Sequence, residues 1–156
     1  METKEINRLL FDEKDYIGTF ARDLLPSRVP LRRKVGLIVN TDTHDLPGEH
    51  WIAIYLDGNG GGEYFDSYGL PPLHKDFIDF MQKNCPLGWC WNSVTLQCLT
   101  CITCGHYYLI YIKLKLNEFS LSDYISLFTY NKNKNDLIIK NLVKILFPKA
   151  IKKHLI

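Results

Sequence analysis

Four polar residues stand in the order His50, Asp66, Gln97 and Cys104, within segments that are otherwise rich in apolar residues. They constrain the fold because they can act together only if the chain returns four times to one place. A thiol nucleophile, an imidazole base, a carboxylate that orients the base and an amide donor for an oxyanion are what acyl transfer at a cysteine needs. The sequence therefore predicts a thiol acyl-transfer site built from these residues.

Each of the four has a distinct expected role. A thiol has an ordinary pKa of about 8.5, so an imidazolium at His50 would favour the thiolate of Cys104. Asp66 would accept a hydrogen bond from the other ring nitrogen and fix the tautomer. If Cys104 opens a helix, its backbone N–H can point at a developing oxyanion, and the side chain of Gln97 would be the second donor.

The motifs around these residues resemble adenain, the adenovirus maturation protease, and the adenain-like proteases of related viruses and large virus-like DNA transposons. The resemblance covers about 16–112, most of the chain. It implies an α+β, papain-like, circularly permuted cysteine protease fold with a small mixed or antiparallel sheet packed by helices. The matching segments are HW (50–51), FDSYG (65–69), the block from Gln97 to Cys104-Gly105 and, more weakly, YIGTF (16–20), LP (25–26) and GLIVNT (36–41).

The same resemblance implies an activity and its setting. The chain would be a cysteine endopeptidase that uses the four residues above, with Trp51 and Gly105 in contact with the substrate. Its substrates would be viral or virus-like precursor proteins, cut at glycine-containing sites during particle maturation in a virion or the host nucleus. The chemistry would need no cofactor. Adenain is activated by a peptide joined through a disulfide and by DNA; whether either activates this chain is left open, with Cys85 or Cys90 as the candidate attachment points.

Two other interpretations stay open. The proteases of ubiquitin-like proteins share the His–Asp–Gln–Cys layout, so a protease or deconjugase of such proteins is the nearest alternative. The second is a metal-binding interaction module, because Cys98, Cys101 and Cys104 form the pattern C-x-x-C-x-x-C, which suits zinc or an iron–sulfur cluster. The fourth ligand of such a metal would come from Cys85, Cys90 or His106. A metal-binding module would not explain HW or FDSYG, however, so no metal is expected.

The chain length and composition predict one globular domain spanning 1–156. A chain of 156 residues with 46% apolar residues can bury one core. No apolar stretch approaches the roughly 18 residues that cross a bilayer. The N-terminal segment is charged and is not a signal peptide. We therefore expect an intracellular protein without membrane contact.

The lysines are unevenly distributed. The net charge is only +2, yet residues 131–156 contain seven lysines against the single acid Asp136. This excess fits contact with DNA, but an ordinary solvated helix face followed by a terminal tail is the favoured interpretation. The lysines are Lys132, Lys134, Lys140, Lys144, Lys149, Lys152 and Lys153.

Hydrophobic patterns predict the elements that carry the site. Apolar spacing indicates helix in the first 25 residues, at 73–84 and at 135–147, where Asn135 would be the cap and Asp136 would lie in the first turn. The segment 105–116 is ambiguous, because its apolar run fits a buried helix while 112–116 alternates like a strand; the family's central helix favours a helix there. The predicted strands are 35–41, 50–57, 63–69 and 92–97, with a hairpin turn at 57–62.

Overall fold

A mixed sheet forms the centre of the computed structural model, which describes residues 1–100 and 103–148. Within these residues the sheet has five strands in the order β1-β2-β3-β4-β5. The β1–β2 and β4–β5 pairs are parallel, whereas β2–β3 and β3–β4 are antiparallel. The strands are β1 (Tyr16–Ala21), β2 (Val35–Asn40), β3 (Trp51–Leu56), β4 (Gly61–Phe65) and β5 (Gly88–Trp91).

Helices cover both faces of this sheet. The long α3 packs on one face with α4 and α5, against inward-facing residues such as Ile38, Ala53 and Phe65. On the other face, α2 packs Phe77 and Met81 against the alternate residues of the same strands. The helices are α1 (Thr3–Leu9), α2 (Lys75–Asn84), α3 (Cys104–Leu116), α4 (Leu121–Ser126) and α5 (Lys132–Leu146).

The segment 104–116 is a helix, and its sequence pattern follows from its position at the centre. Every residue from 107 to 112 is buried, so the helix is apolar on all sides rather than on one stripe. Neighbouring aromatic side chains fill the space around it: Phe65 stacks on Tyr111 with ring centroids 4.4 Å apart. Strand-like alternation at 112–116 is therefore misleading, because a fully buried helix shows no amphipathic period.

The hairpin between β3 and β4 confirms the turn predicted at 57–62. The carboxylate of Asp57 accepts hydrogen bonds from the backbone N–H groups of Asn59 (2.7 Å) and Gly61 (3.0 Å). Gly58 has φ +77°, and a Cβ there would lie 2.5 Å from the backbone of Arg33. The turn therefore needs glycine for its geometry.

Two of the predicted elements are wrong. Of the first 25 residues, only α1 and a short 3-10 helix at Arg22–Leu24 are helical, because 16–21 pairs with β2 as an edge strand. Residues 92–97 are not a strand. There the side chain of Asn92 takes the place of a strand partner, accepting from the N–H of Asp66 and donating to its carbonyl.

The start of α5 also differs from the prediction. Asn131, not Asn135, caps the helix, and its side chain accepts from the N–H of Lys134 at 3.0 Å. Asn135 is buried and donates to the carbonyl of Leu96 at 3.1 Å. Asp136 is buried and lies in the second turn rather than the first. Residues 149–156, with three of the predicted DNA-binding lysines, lie outside the described part of the chain.

Candidate active site

His50 and Asp66 meet at one edge of the sheet. His50 directly precedes β3 and Asp66 directly follows β4, and these two strands run antiparallel, so the start of one lies beside the end of the other. His50 Nε2 lies 3.1 Å from Asp66 Oδ1, and the two side chains are 18% and 6% exposed. The same carboxylate oxygen accepts the N–H of Tyr68 at 2.8 Å. Asp66 is therefore held in position to orient the imidazole.

The imidazole of His50 is set up to be protonated. Burial disfavours its charged form and is the largest single influence, but hydrogen bonds with Asp66 and Cys104 and their negative charges outweigh it. Together they raise the pKa of His50 to about 9. Since Nε2 faces Asp66, the nitrogen available to Cys104 is Nδ1. The ring thus connects the carboxylate to the thiol.

Cys104 is the first residue of α3 and follows the capping position Thr103. Its N–H has no partner inside the helix, and the positive end of the helix dipole favours a thiolate there. Cys104 is partly exposed, and Cys85, Cys90 and Cys104 are free thiols. Burial raises the pKa of Cys85 to about 11 and also raises that of Cys90. Among these, Cys104 is the thiol that hydrogen-bonds to His50.

Gln97 reaches the site on a loop rather than on a strand. Its backbone N–H donates to the carbonyl of Ser67 at 3.2 Å. Its side chain is 1% exposed, and the hydroxyl of Ser67 donates to Oε1 at 2.6 Å. The amide therefore turns its carbonyl oxygen toward Ser67 and its NH2 group the other way, as an oxyanion donor would require.

Two aromatic residues at the site escaped the sequence analysis. The hydroxyl of Tyr108 lies 3.1 Å from His50 Nε2. The ring of Tyr68 stacks on the imidazole with centroids 4.9 Å apart. Tyr108 follows Cys104 by four residues, a spacing that places both on one face of a helix. That spacing is a signal by which it could have been found.

The two predicted substrate contacts directly follow His50 and Cys104 in the chain. Trp51 is half-buried, packs against the same apolar cluster as Cys104 and lines a groove with Phe20 and Gly48. Gly105 is buried, and a Cβ there would lie 2.8 Å from the Cβ of Met1. Gly105 is thus a close-packing position, and substrate contact by either residue stays a prediction.

The alternative of a metal centre receives no support from the described residues. Within 1–100 and 103–148, no group of three or more His, Cys, Asp or Glu side chains is arranged to hold a metal ion. Cys101, the middle cysteine of the predicted metal-binding pattern, lies outside the described part of the chain. Nor is any helix in that part long and apolar enough to cross a membrane.

Comparison with curated proteins finds viral cysteine proteases. The chain is 33% identical over 102 residues to the cysteine protease S273R of African swine fever virus (isolate Tick/Malawi/Lil 20-1/1983). It is 32% identical over 102 residues to the SUMO-1 cysteine protease S273R of the Tick/South Africa/Pretoriuskop isolate. Each match covers 58% of this chain but only 37% of the relative. No family model matches the chain.

Comparison with solved structures identifies the fold. The crystal structure of the African swine fever virus pS273R protease aligns with a TM-score of 0.65 at 18% identity, covering 89% of this chain and 65% of that chain. ChlaDub1 from Chlamydia trachomatis aligns with a TM-score of 0.54 at 14% identity, covering 77% and 60%. The predicted α+β, papain-like fold is confirmed by these structures.

The comparisons also bear on the predicted class and family. The relatives named above are cysteine proteases, the class that the sequence predicts for this chain, which spans 37% of the length of the curated relatives. The predicted resemblance to adenain is borne out only at the coarser level of viral cysteine proteases.

Proposed function

We propose that this chain is a cysteine endopeptidase in which Cys104 is the nucleophile and His50 is the base. The observation that carries the proposal is the imidazole itself, which is hydrogen-bonded to Asp66 on one side and to Cys104 on the other. A base that contacts a thiol on one side and an orienting carboxylate on the other is the arrangement that activates a cysteine for acyl transfer.

The reaction follows from these contacts. The thiol of Cys104 gives its proton to His50 Nδ1, and the thiolate attacks the carbonyl carbon of the scissile peptide bond. The carbonyl oxygen becomes an oxyanion, held by the N–H of Cys104 and the side-chain N–H of Gln97. His50 then protonates the leaving amine as the C–N bond breaks, leaving a thioester. Water, deprotonated by His50, attacks the thioester and releases the carboxylic acid and the free thiol.

For the substrate, we favour a protein chain with glycine before the scissile bond. The adenain-like motifs support a viral or virus-like precursor cut during particle maturation. A second candidate is a ubiquitin-like protein, favoured by the name SUMO-1 cysteine protease that one viral relative carries. Both substrates present glycine at the bond to be cut, and a narrow channel beside Trp51 would exclude larger side chains.

Cysteine labelling tests the nucleophile. We expect iodoacetamide at mildly acidic pH to modify Cys104 before the other four cysteines, because a thiolate paired with an imidazolium persists below the ordinary thiol pKa. Cys104→Ala should abolish cleavage of a glycine-containing peptide and keep the fold by circular dichroism. The matched control is Cys90→Ala, which removes an exposed thiol outside the site. Cleavage by Cys104→Ala, or first labelling of Cys90, would contradict the assignment.

Substrate profiling separates the two candidates. A maturation protease should cleave a short glycine-containing peptide at a rate similar to that of the same site within a folded protein. A protease of ubiquitin-like proteins should cleave SUMO-1 carrying a C-terminal extension far faster than the isolated peptide. Mass spectrometry of the products identifies the cleaved bond in both assays. Cleavage of neither substrate, with Cys104 unreactive, would exclude both candidates.

A further inference from the structure

We propose that Tyr108 and Ser67 form a hydrogen-bond relay from the base His50 to the oxyanion donor Gln97, and that this relay fixes which end of the Gln97 amide faces the substrate. The inference rests on the proposed peptidase function and adds two positioning residues to it. Neither residue needs to touch the scissile carbonyl, because each acts through a neighbouring side chain.

Three contacts make the path continuous. The hydroxyl oxygen of Tyr108 lies 3.1 Å from His50 Nε2 and 2.7 Å from the hydroxyl oxygen of Ser67. The Ser67 hydroxyl in turn lies 2.6 Å from Gln97 Oε1. Tyr108 and Ser67 are fully buried and Gln97 is 1% exposed. Since bulk water has little access, the hydroxyl groups of Tyr108 and Ser67 and the side-chain carbonyl of Gln97 need hydrogen-bond partners within the protein.

The direction of the relay is fixed at its first member. His50 Nε2 faces the carboxylate of Asp66 at 3.1 Å, so this nitrogen must carry a proton. It does so both in the neutral ring that accepts from Cys104 and in the imidazolium. The Nε2 proton is shared between Asp66 Oδ1 and the Tyr108 oxygen, each 3.1 Å away, and the Tyr108 oxygen also accepts the backbone N–H of Ser67 at 3.2 Å. Its two lone pairs are then occupied, and its own proton goes to the hydroxyl of Ser67.

The direction of the hydrogen bond between Ser67 and Gln97 follows in the same way. Ser67 accepts from Tyr108, so its single proton is donated to Gln97 Oε1. A flipped amide would set an NH2 group against that proton and leave the buried hydroxyl without an acceptor. The carbonyl end of Gln97 is thereby held on Ser67, and its N–H groups point to the other side. Because the His50 proton on Nε2 stays in place when Cys104 ionises, this orientation persists through the reaction.

Kinetics of two variants test the relay. Loss of an oxyanion donor typically slows a reaction by about 100- to 1,000-fold. A misoriented donor should cost less, and we expect Ser67→Ala and Tyr108→Phe each to lower kcat roughly tenfold, with KM changed by less than about twofold. Tyr111→Phe is the matched control. It removes a buried hydroxyl one turn along the same helix, bonded to Glu63 at 2.7 Å, and should leave kcat unchanged.

A double-mutant cycle shows whether Ser67 acts through Gln97. In a Gln97→Ala background, the further change Ser67→Ala should lower kcat by less than about twofold, because the group that it positions is already gone. An equal loss of kcat in both backgrounds would assign Ser67 a general structural role and overturn the proposal. So would an unchanged kcat in Ser67→Ala alone.

Nuclear magnetic resonance gives a readout that does not need peptidase activity. Imidazole 15N shifts should place the proton of neutral His50 on Nε2, and 15N relaxation should show an ordered Gln97 amide. That order should be lost in Ser67→Ala and Tyr108→Phe but kept in Tyr111→Phe. An inactive wild-type protein with this pattern would refute the proposed function and support the relay. A Gln97 amide that is equally ordered in all variants would overturn the relay, even in an active enzyme.

Discussion

The imidazole of His50 gives the site a pH dependence that can be worked out from its contacts. Its pKa is raised from an ordinary 6.5 to about 9, with burial opposing and Asp66 and Cys104 favouring the charged form. The imidazolium, which is needed to protonate the leaving amine, therefore persists through neutral pH. We expect kcat/KM to hold through about pH 8 and to fall as the pH rises through about 9. A pH–rate profile on a short peptide measures this.

Changing Asp66 should move that alkaline limit in a known direction. Asp66→Asn removes the negative charge that favours the imidazolium. The fall of kcat/KM at alkaline pH should therefore occur at a pH lower by roughly one unit or more, with partial activity kept. Asp45→Asn is the control, because Asp45 is exposed and bonded to Thr43 rather than to His50. If kcat/KM of Asp66→Asn falls at the same alkaline pH as that of the wild type, another group sets the pKa of His50.

At the scale of the elements, α5 is tied to the start of the nucleophile helix through one buried carboxylate. Asp136 Oδ1 accepts from the hydroxyl of Thr103 at 2.8 Å and from that of Tyr107 at 2.9 Å. We expect Asp136→Ala to lower the free energy of unfolding by about 2 kcal/mol, since the hydroxyl of Thr103 loses its acceptor and that of Tyr107 keeps only the longer bond to the carbonyl of Leu96, at 3.4 Å. It should also slow cleavage, because Thr103 directly precedes Cys104.

The comparison for this change is Asp123→Ala. Asp123 is the exposed acid of the capping box of α4, so its loss should cost only about 1 kcal/mol and leave cleavage unchanged. Urea unfolding and peptide kinetics measure both quantities. Equal effects of the two substitutions on cleavage would contradict a specific link between α5 and the nucleophile.

The elements differ in how far their sequences reveal them, and the reason is physical. The strands at 35–40 and 51–56 and the helix at 75–84 carry clear hydrophobic periods, and the structure confirms them. Strand β1 has helical spacing but is held by pairing with β2, a tertiary contact that local sequence does not record. The short β5 was missed for the same reason.

The site likewise has contacts that the sequence predicts and contacts that only the structure shows. The structure brings together His50 and Asp66, and His50 and Cys104, as the motif order predicts. The hydroxyl groups of Tyr108 and Ser67 meet only through the packing of α3 on the sheet. Such contacts have no fixed spacing along the chain. Polar groups in a recognisable order are thus predictable, whereas the buried hydrogen bonds that hold them need the folded structure.

At the scale of the whole molecule, the lysine excess leads to a proposal about DNA. The four described lysines of α5, at 132, 134, 140 and 144, are all exposed, which fits either a nucleic-acid contact or a solvated face. If they bind phosphates, the double change Lys140→Glu and Lys144→Glu should weaken binding to duplex DNA and reduce its salt dependence. Lys75→Glu, an exposed lysine of α2, is the control. Equal DNA affinity of all three proteins, or none at low salt, would favour the solvated face.

The two faces of the sheet provide the last prediction, which tests whether the chain unfolds as one unit. Phe65 and Phe77 are both fully buried: Phe65 ends β4 and packs under α3, and Phe77 lies on α2 and packs against the opposite face of the sheet. Because the same strands form both cores, we expect Phe65→Ala and Phe77→Ala each to lower the free energy of unfolding by about 3–5 kcal/mol. Each should shift one common transition, seen alike by tryptophan fluorescence and far-ultraviolet circular dichroism.

Phe11→Ala, at a residue that is 83% exposed, should change stability by less than about 0.5 kcal/mol. Two separate transitions, with each substitution moving only one, would show that the faces fold independently and would contradict the predicted single domain. Of the two buried changes, Phe65→Ala should also reduce cleavage by the remaining folded protein, since Phe65 directly precedes Asp66 and lies edge-on to the ring of Tyr108.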